Sequence, residues 1–292
     1  KTEKNMHKIF WLSKDTSILV NNWFMMYFLS VILIGTIYPI FLDVISDEKI
    51  SVGPPFYNKL ILPFLIPFLI FMTIGPKLSW IKSKLEIKFS LINFFIISIL
   101  LSFVIINKAD INILFYTILL ASAFYLFLST IKEFLINKIK NFSQNISHFA
   151  FSLLILSILL NSIFSSEIIT NIKVGESINF KEKTIFFERI EKIKKKNYES
   201  VIGFFEVKDK DGKDFIFKPE LRIYNQPKVV TSEADINTNF FTDTFLVMNS
   251  VNNQDYFNIR YQNKPLMIWI WISVILLSFG GLTSLIKKSY EK

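Results

Sequence analysis

The sequence predicts a polytopic α-helical membrane protein with about six transmembrane helices and one extracytoplasmic β-rich domain. Three observations predict it: six long apolar segments, a sorting of basic residues into alternate loops, and one stretch whose pattern changes to that of strands. Of the 292 residues, 51% are hydrophobic and 32 are phenylalanine, with a mean hydropathy of +0.41. Soluble domains rarely carry so large an apolar share. The formal net charge of +9 could suit nucleic acid, but in an apolar chain with eight glycines it reads as membrane topology, and no nucleic-acid partner is expected. The absence of cysteine removes disulfide frameworks, thiolate metal sites and thiol catalysis. The sequence starts at Lys1 rather than methionine and shows no cleavable signal peptide there, so a fragment or processed product is expected.

A helical span takes about 20 apolar residues, with a lower limit of roughly 17. The candidate spans run from Leu19 to Leu42, Leu60 to Ile74, Ser90 to Ile106, Ile111 to Ile131, Ile146 to Phe164 and Leu266 to Ile286. The second is short and carries Pro63 and Pro67, which predicts a kinked helix starting near Phe56. Such a helix survives in lipid only where neighbours satisfy its freed carbonyls, which implies a bundle. The segments before the first span, between the second and third, between the fourth and fifth, and after the sixth hold fourteen Lys/Arg against five Asp/Glu. The loops after the first and third spans hold three against four, and 165–264 holds 16 against 15. The positive-inside rule then places both termini in the cytoplasm and 165–264 outside. The expected parts are a membrane domain with five transmembrane helices at 1–164, a β-rich domain at 165–264, and a final transmembrane helix with a cytoplasmic tail at 265–292.

Within 165–264, Ile178–Phe180, Thr184–Ile190, Val201–Val207 and Phe215–Phe217 alternate or cluster β-branched and aromatic residues as strands do. Asp211-Gly212 between two such runs signals a hairpin, because a type I′ turn needs positive φ at both central positions. A small β-sandwich or barrel tethered between two helices is expected. The glycine of Asp209-Lys210-Asp211-Gly212 falls two positions too early for an EF-hand calcium loop.

His148 lies two residues inside the cytoplasmic end of the fifth span. Ionisable residues in spans are costly and suggest function, and imidazole is the usual protein ligand to haem iron. The alternative is a histidine snorkelling to headgroups or water. His7 sits in a charged pre-membrane stretch and reads as solvated or interfacial, although topology puts both histidines near one membrane face. Gly53-Pro54-Pro55-Phe56-Tyr57 reads either as a rigid helix connection with an aromatic belt or as a binding surface. Asn21 and Asn22 could bond across helices, Gly280-Gly281 permits close helix packing, and Lys194-Lys195-Lys196 is a solvated face or a contact for anionic lipid. No Walker loop, dinucleotide fingerprint, His-Glu-x-x-His or nucleophile elbow is present, against an ATP-driven or hydrolytic activity in this chain.

Several stretches together resemble one family, the cytochrome c maturation protein F (CcmF) family, the haem lyase membrane subunits of system I. Ser13-Lys14-Asp15 through Leu19, Asn21 and Asn22 is similar to the family's Ser-Arg-Glu…Leu-Asn-Asn at a helix start. Gly35-Thr36-Ile37-Tyr38-Pro39 resembles its Gly-Thr-Leu-Tyr-Pro, and Ser51-Val52-Gly53-Pro54-Pro55-Phe56-Tyr57-Asn58 its following loop. Ser147-His148 resembles the helix whose histidine ligates haem b. Thr231-Ser232-Glu233-Ala234-Asp235-Ile236 with Thr242-Asp243, and Lys264-Pro265-Leu266 through Trp269-Ile270-Trp271 and Gly280-Gly281, resemble the outer domain and final span. The resemblance covers the carboxy-terminal half of the family; the tryptophan-rich haem loop, its flanking histidines and the first haem b histidine have no counterpart here, and Lys14-Asp15 replaces Arg-Glu.

The resemblance implies part of a cytochrome c haem lyase in the inner membrane, with His148 as one axial ligand of haem b and the partner ligand outside this chain. It further implies that 165–264 is periplasmic, and that the partners are membrane lipid, a haem chaperone, apocytochrome c and other maturation subunits, with quinol as electron donor. Two alternatives remain open: a permease or translocator component, motivated by the kinked second span and by Asn161 inside a helix, and a non-catalytic assembly scaffold.

Overall fold

The computed structural model describes residues 13–46, 50–80, 89–107, 113–136, 142–209, 214–251 and 255–290. It divides into two compact units, Lys1–Leu156 with Ser273–Lys292, and Ser157–Ile272.

The first unit is helical. α1 (Lys14–Ile45) is capped by Ser13, whose hydroxyl accepts the Thr16 N–H at 3.2 Å, and Asp15 in the first turn suits the positive end of the helix dipole. α2 (Pro54–Ile74) starts two residues ahead of the expected start near Phe56, since Pro54 and Pro55 occupy first-turn positions where no N–H is required. A 3₁₀ turn, Gly75–Lys77, extends it. α3 (Phe89–Ile106), α4 (Ile113–Ile136), α5 (Phe142–Phe164) and α6 (Met267–Tyr290) follow the predicted order. Five helices among the described residues are long and apolar enough to cross a membrane. α3, at 18 residues, rises about 27 Å and sits near the short end of the spanning range.

Small residues set the helix contacts. A Cβ at Gly35 would lie 2.8 Å from the Tyr57 hydroxyl, and one at Gly75 would lie 2.1 Å from the Ser17 hydroxyl, so glycine lets α1 and α2 approach at both ends. Between those points Tyr27 stacks on Phe64 at 4.4 Å and donates to the Leu60 carbonyl at 3.0 Å. That carbonyl is next to the Lys59 carbonyl, which Pro63 leaves without its helical donor. The neighbouring helix thus places a polar contact beside the freed carbonyl rather than on it. Phe149 stacks on Phe127 and Phe134, and Thr130 shares a hydrogen bond with Ser152 at 2.8 Å, joining α4 to α5. Ser143 donates to the Gly280 carbonyl at 2.6 Å, and a Cβ at Gly280 would lie 2.2 Å from the Ser147 hydroxyl. Gly281 has nothing within 4 Å, so only the first glycine of the pair serves packing. Half of the apolar stretch of α4 is buried, against 11% in α1 and in α6, which makes α4 the core helix.

The second unit is a β-sandwich. β1 (Ser166–Ile172), β10 (Phe257–Pro265), β9 (Thr242–Ser250) and β8 (Asp235–Thr238) form one antiparallel sheet in that order. The other runs β2 (Ser177–Phe180), β3 (Lys183–Lys194), β4 (Tyr198–Asp209), β6 (Glu220–Asn225) and β7 (Lys228–Glu233), with β5 (Asp214–Phe217) paired to β4. Eleven buried side chains from both sheets share one core, among them Ile172, Phe187, Phe205, Leu246, Met248 and Tyr261. Burying one such side chain contributes about 1.5–3 kcal/mol. Phe187 and Phe205 stack at 4.1 Å, and Gly203 leaves the room that Phe205 and Met248 fill. The four predicted strand runs fall on β2 to β5. The Asp211-Gly212 turn lies outside the described residues, but Val207 pairs with Phe215 and Lys208 with Asp214 on either side of it. β1 and β10 are antiparallel neighbours, with Ser166 opposite Asn263, so the chain enters and leaves the sandwich side by side. Asn161 closes this neck by donating to the Pro265 carbonyl.

Candidate functional site

His148 stands one turn beyond Gln144 on α5, and both line a cavity of about 290 Å³ in the helical unit. α1 contributes Lys14, Ser17, Ile18 and Asn21; the end of α2 and its 3₁₀ turn contribute Phe71, Met72, Gly75 and Pro76. The start of α1 is held there by its Lys14 N–H, which donates to the Ser79 carbonyl at 3.1 Å, and by the Ser17–Gly75 contact. The imidazole is half-buried and makes no hydrogen bond to a described residue. An imidazole lining a cavity whose walls combine Ile18, Phe71 and Met72 with Lys14, Ser17, Asn21 and Gln144 is of a type that can ligate a metal centre carried by an apolar ligand. His7, the other histidine, lies outside the described residues.

An ion pair absent from the sequence-based reading lies beside this histidine. The Lys77 ammonium reaches the Glu133 carboxylate at 3.1 Å, the Thr73 carbonyl at 2.9 Å and the Ser129 hydroxyl, joining the end of α2 to α4. His148 is within electrostatic reach of both charges. The side chains are 28% and 24% exposed, and charges at this depth persist only when paired. The available signal was an acid placed two residues past the fourth apolar run.

The remaining candidates separate. Asn21 lines the cavity and Asn22 is exposed, and neither makes a cross-helix hydrogen bond among the described residues. Phe56 and Tyr57 pack on Gly35 as part of the α1–α2 connection. Lys194, Lys195 and Lys196 are exposed at the β3–β4 turn, with the Lys195 ammonium 5.5 Å above the Tyr198 ring. In the sandwich a second, polar cavity of about 180 Å³ is lined by Lys183, Asp209, Thr244, Tyr261 and Asn263 among others. There Lys183 donates to the Tyr261 hydroxyl at 3.3 Å, and burial pushes that phenol up to about 12. Across the sandwich, the Arg222 guanidinium holds the Glu220 carboxyl below the usual carboxylate range by hydrogen bonding. Among the described residues no group of three or more His, Cys, Asp or Glu could hold a bare metal ion.

Fold and site together define a multi-pass membrane protein with a β-sandwich inserted before its last helix and a lone imidazole facing a cavity in its bundle. Comparison with known proteins shows what the chain is similar to. Residues 163–265 match the family described as CcmF C-terminal beta-sandwich. Cytochrome c-type biogenesis protein CcmF of Pseudomonas fluorescens is 27% identical over 294 residues, covering 96% of this chain and 44% of that protein. The CcmF of Escherichia coli (strain K12) is 24% identical over 302 residues, covering 100% and 46%. A solved structure titled Cytochrome c Heme Lyase CcmF has the same fold, with a TM-score of 0.72 at 18% identity, over 94% of this chain and 46% of that one. The chain is similar to the carboxy-terminal part of the CcmF proteins and spans less than half the length of these relatives.

Proposed function

We propose that this chain is the carboxy-terminal part of a cytochrome c haem lyase, assisting covalent attachment and reduction of haem on apocytochrome c outside the cytoplasmic membrane. His148 would be one of the residues holding a haem b in the helical bundle, through its imidazole. The observation that carries this reading is the His148 imidazole lining the cavity between α1, α2 and α5, with no hydrogen bond to another described residue. The fit is that of one side of a macrocycle site. The cavity lies at the lower edge of ligand-pocket volumes, and His148 is the only histidine among the described residues, so the second ligand and the far wall come from outside them. Haem bound there would supply one-electron redox chemistry, with quinol as the proposed electron donor. The chain's own residues exclude water with Phe71, Met72 and Ile18, hold α2 on α4 through Lys77 and Glu133, and present one imidazole.

The sorting of basic residues supports an inner-membrane orientation with both termini cytoplasmic and 165–264 periplasmic. The sandwich would then face the haem chaperone, apocytochrome c and the other maturation subunits, while His148 sits toward the cytoplasmic side as an electron relay. The permease alternative loses one of its two motives, because Asn161 is engaged at the neck of the sandwich rather than along a path. The test is the reduced haem spectrum of the purified protein carrying His148→Ala. The b-type bands are expected to fall or shift; bands identical to the unaltered protein sink the ligand assignment.

A further inference from the structure

We propose that the β8–β9 turn is a membrane-seating element, with Phe240 and Phe241 inserted into the phospholipid headgroup and upper acyl layer where α6 enters the bilayer. The proposal rests on the spanning character of α6 and is independent of the haem reading. The apolar stretch of α6, Met267–Leu285, has 19 residues and rises about 28 Å, close to the roughly 30 Å hydrocarbon core. With no length to spare, its first residues stand at the membrane boundary, where tryptophan is favoured. Trp269 is there, and Phe240 meets it edge to face at 4.9 Å, which puts Phe240 at the same depth.

The turn is fastened to the helix start rather than merely near it. The Leu266 N–H donates to the Phe241 carbonyl at 2.7 Å. Leu266 itself has φ +60°, a left-handed backbone that a branched side chain rarely adopts without support, and this bond from its own amide supplies that support. The Asn239 side chain accepts from the Phe241 and Thr242 N–H groups at 3.0 and 2.8 Å, fixing the turn. The two rings nonetheless remain 52% and 66% exposed. Adjacent exposed phenylalanines on a preorganised turn, level with an interfacial tryptophan, match the chemistry of a bilayer interface. Water would leave their apolar area without a partner.

The absence of cysteine in the chain makes the test direct. Phe241→Cys and, separately, Phe240→Cys give single sites for a nitroxide in protein reconstituted into phosphatidylcholine–phosphatidylglycerol vesicles. Lys196→Cys, in the turn at the opposite end of β3 from Lys183, is the control. Collision rates with dissolved oxygen, which concentrates in lipid, and with a water-soluble nickel chelate are compared at each site. Labels at 240 and 241 are expected to favour oxygen and the label at 196 to favour nickel. Nickel preference at 240 and 241 would place the turn in water, and shielding from both reagents would place it under protein. Either result overturns the proposal.

Discussion

At the scale of single residues, two contacts near His148 decide how firmly it is placed. Ser147 precedes it on α5 and abuts Gly280 of α6, where a Cβ would meet the Ser147 hydroxyl at 2.2 Å and its backbone nitrogen at 3.2 Å. The backbone atom cannot rotate away, so Gly280→Ala must push α5 and α6 apart, at a cost of about 1–3 kcal/mol. Gly281→Ala meets nothing within 4 Å and removes a helix-weakening glycine, so it should be neutral or favourable by up to about 1 kcal/mol. Thermal unfolding of the two variants in detergent checks this contrast; equal effects would refute the packing assignment. Lys77 and Glu133 act from the other side. Glu133→Gln keeps an acceptor but removes the counter-charge from the Lys77 ammonium, which also contacts the Thr73 carbonyl and the Ser129 hydroxyl, and should cost about 1–3 kcal/mol. Replacing both by apolar residues of similar size should recover most of the loss, because no uncompensated charge then remains. A double-mutant cycle on melting temperature reads that coupling, and additive losses would argue against it. His148 was legible in the sequence because a histidine in an apolar run is rare. Its cavity was not: Ile18, Phe71 and Met72 are apolar like the lipid-facing residues around them, and in a bilayer composition alone does not tell the two apart.

At the scale of elements, the sandwich carries the clearest pH dependence. Tyr261 is 1% exposed on β10 and bonded from Lys183, with its phenol raised to about 12 from an unfolded value near 10. A raised folded-state pKa means that the folded chain holds this proton longer than the unfolded chain. Its contribution is therefore intact below about pH 10 and lost as pH climbs toward 12, amounting to about 2–3 kcal/mol. Glu220 has the opposite sign: its folded-state pKa is depressed, so its contribution is present above the ordinary glutamate range and falls away in acid. Tyr261→Phe should cost about 1 kcal/mol at neutral pH through the lost hydrogen bond and should move the alkaline unfolding midpoint upward. Near-UV circular dichroism across the alkaline range measures this, and an unmoved midpoint would show that another group governs the transition. The strands themselves were unevenly legible. β3 and β4 announce themselves through clusters of β-branched and aromatic residues, with Ile185, Phe187, Phe205 and Val207 inward and the charged Glu188, Glu206 and Lys208 interleaved. In β9 the core residues Leu246 and Met248 flank Val247 and follow Phe245 on the opposite face, so the period of two disappears from the sequence. The start of α2 was misplaced for a related reason. Pro54 and Pro55 read as a loop, although the first helical turn tolerates them.

At the scale of the whole molecule, orientation governs which partners each part can meet, and charge is the quantity that sets it. Spans were legible because lipid demands an unbroken apolar helix of nearly fixed length, and the six helices lie where the apolar runs do. The net +9 resolves entirely into the loops on the amino-terminal side of alternate spans and the tail, leaving 165–264 almost neutral at 16 basic against 15 acidic residues. A near-neutral segment between two spans is free to translocate, whereas Lys82, Lys84 and Lys88 between α2 and α3 resist it. The same absence of cysteine that rules out thiol chemistry allows each side to be marked individually. In spheroplasts, a membrane-impermeant maleimide should label Lys196→Cys in the β3–β4 turn at once, and Lys288→Cys beyond the last apolar stretch only after permeabilisation. The inverse pattern would turn the molecule over and move His148 to the outer side, where an electron relay from the cytoplasmic leaflet could no longer be its role. Labelling of both sites without permeabilisation would mean that α6, the one helix between them, does not cross the membrane.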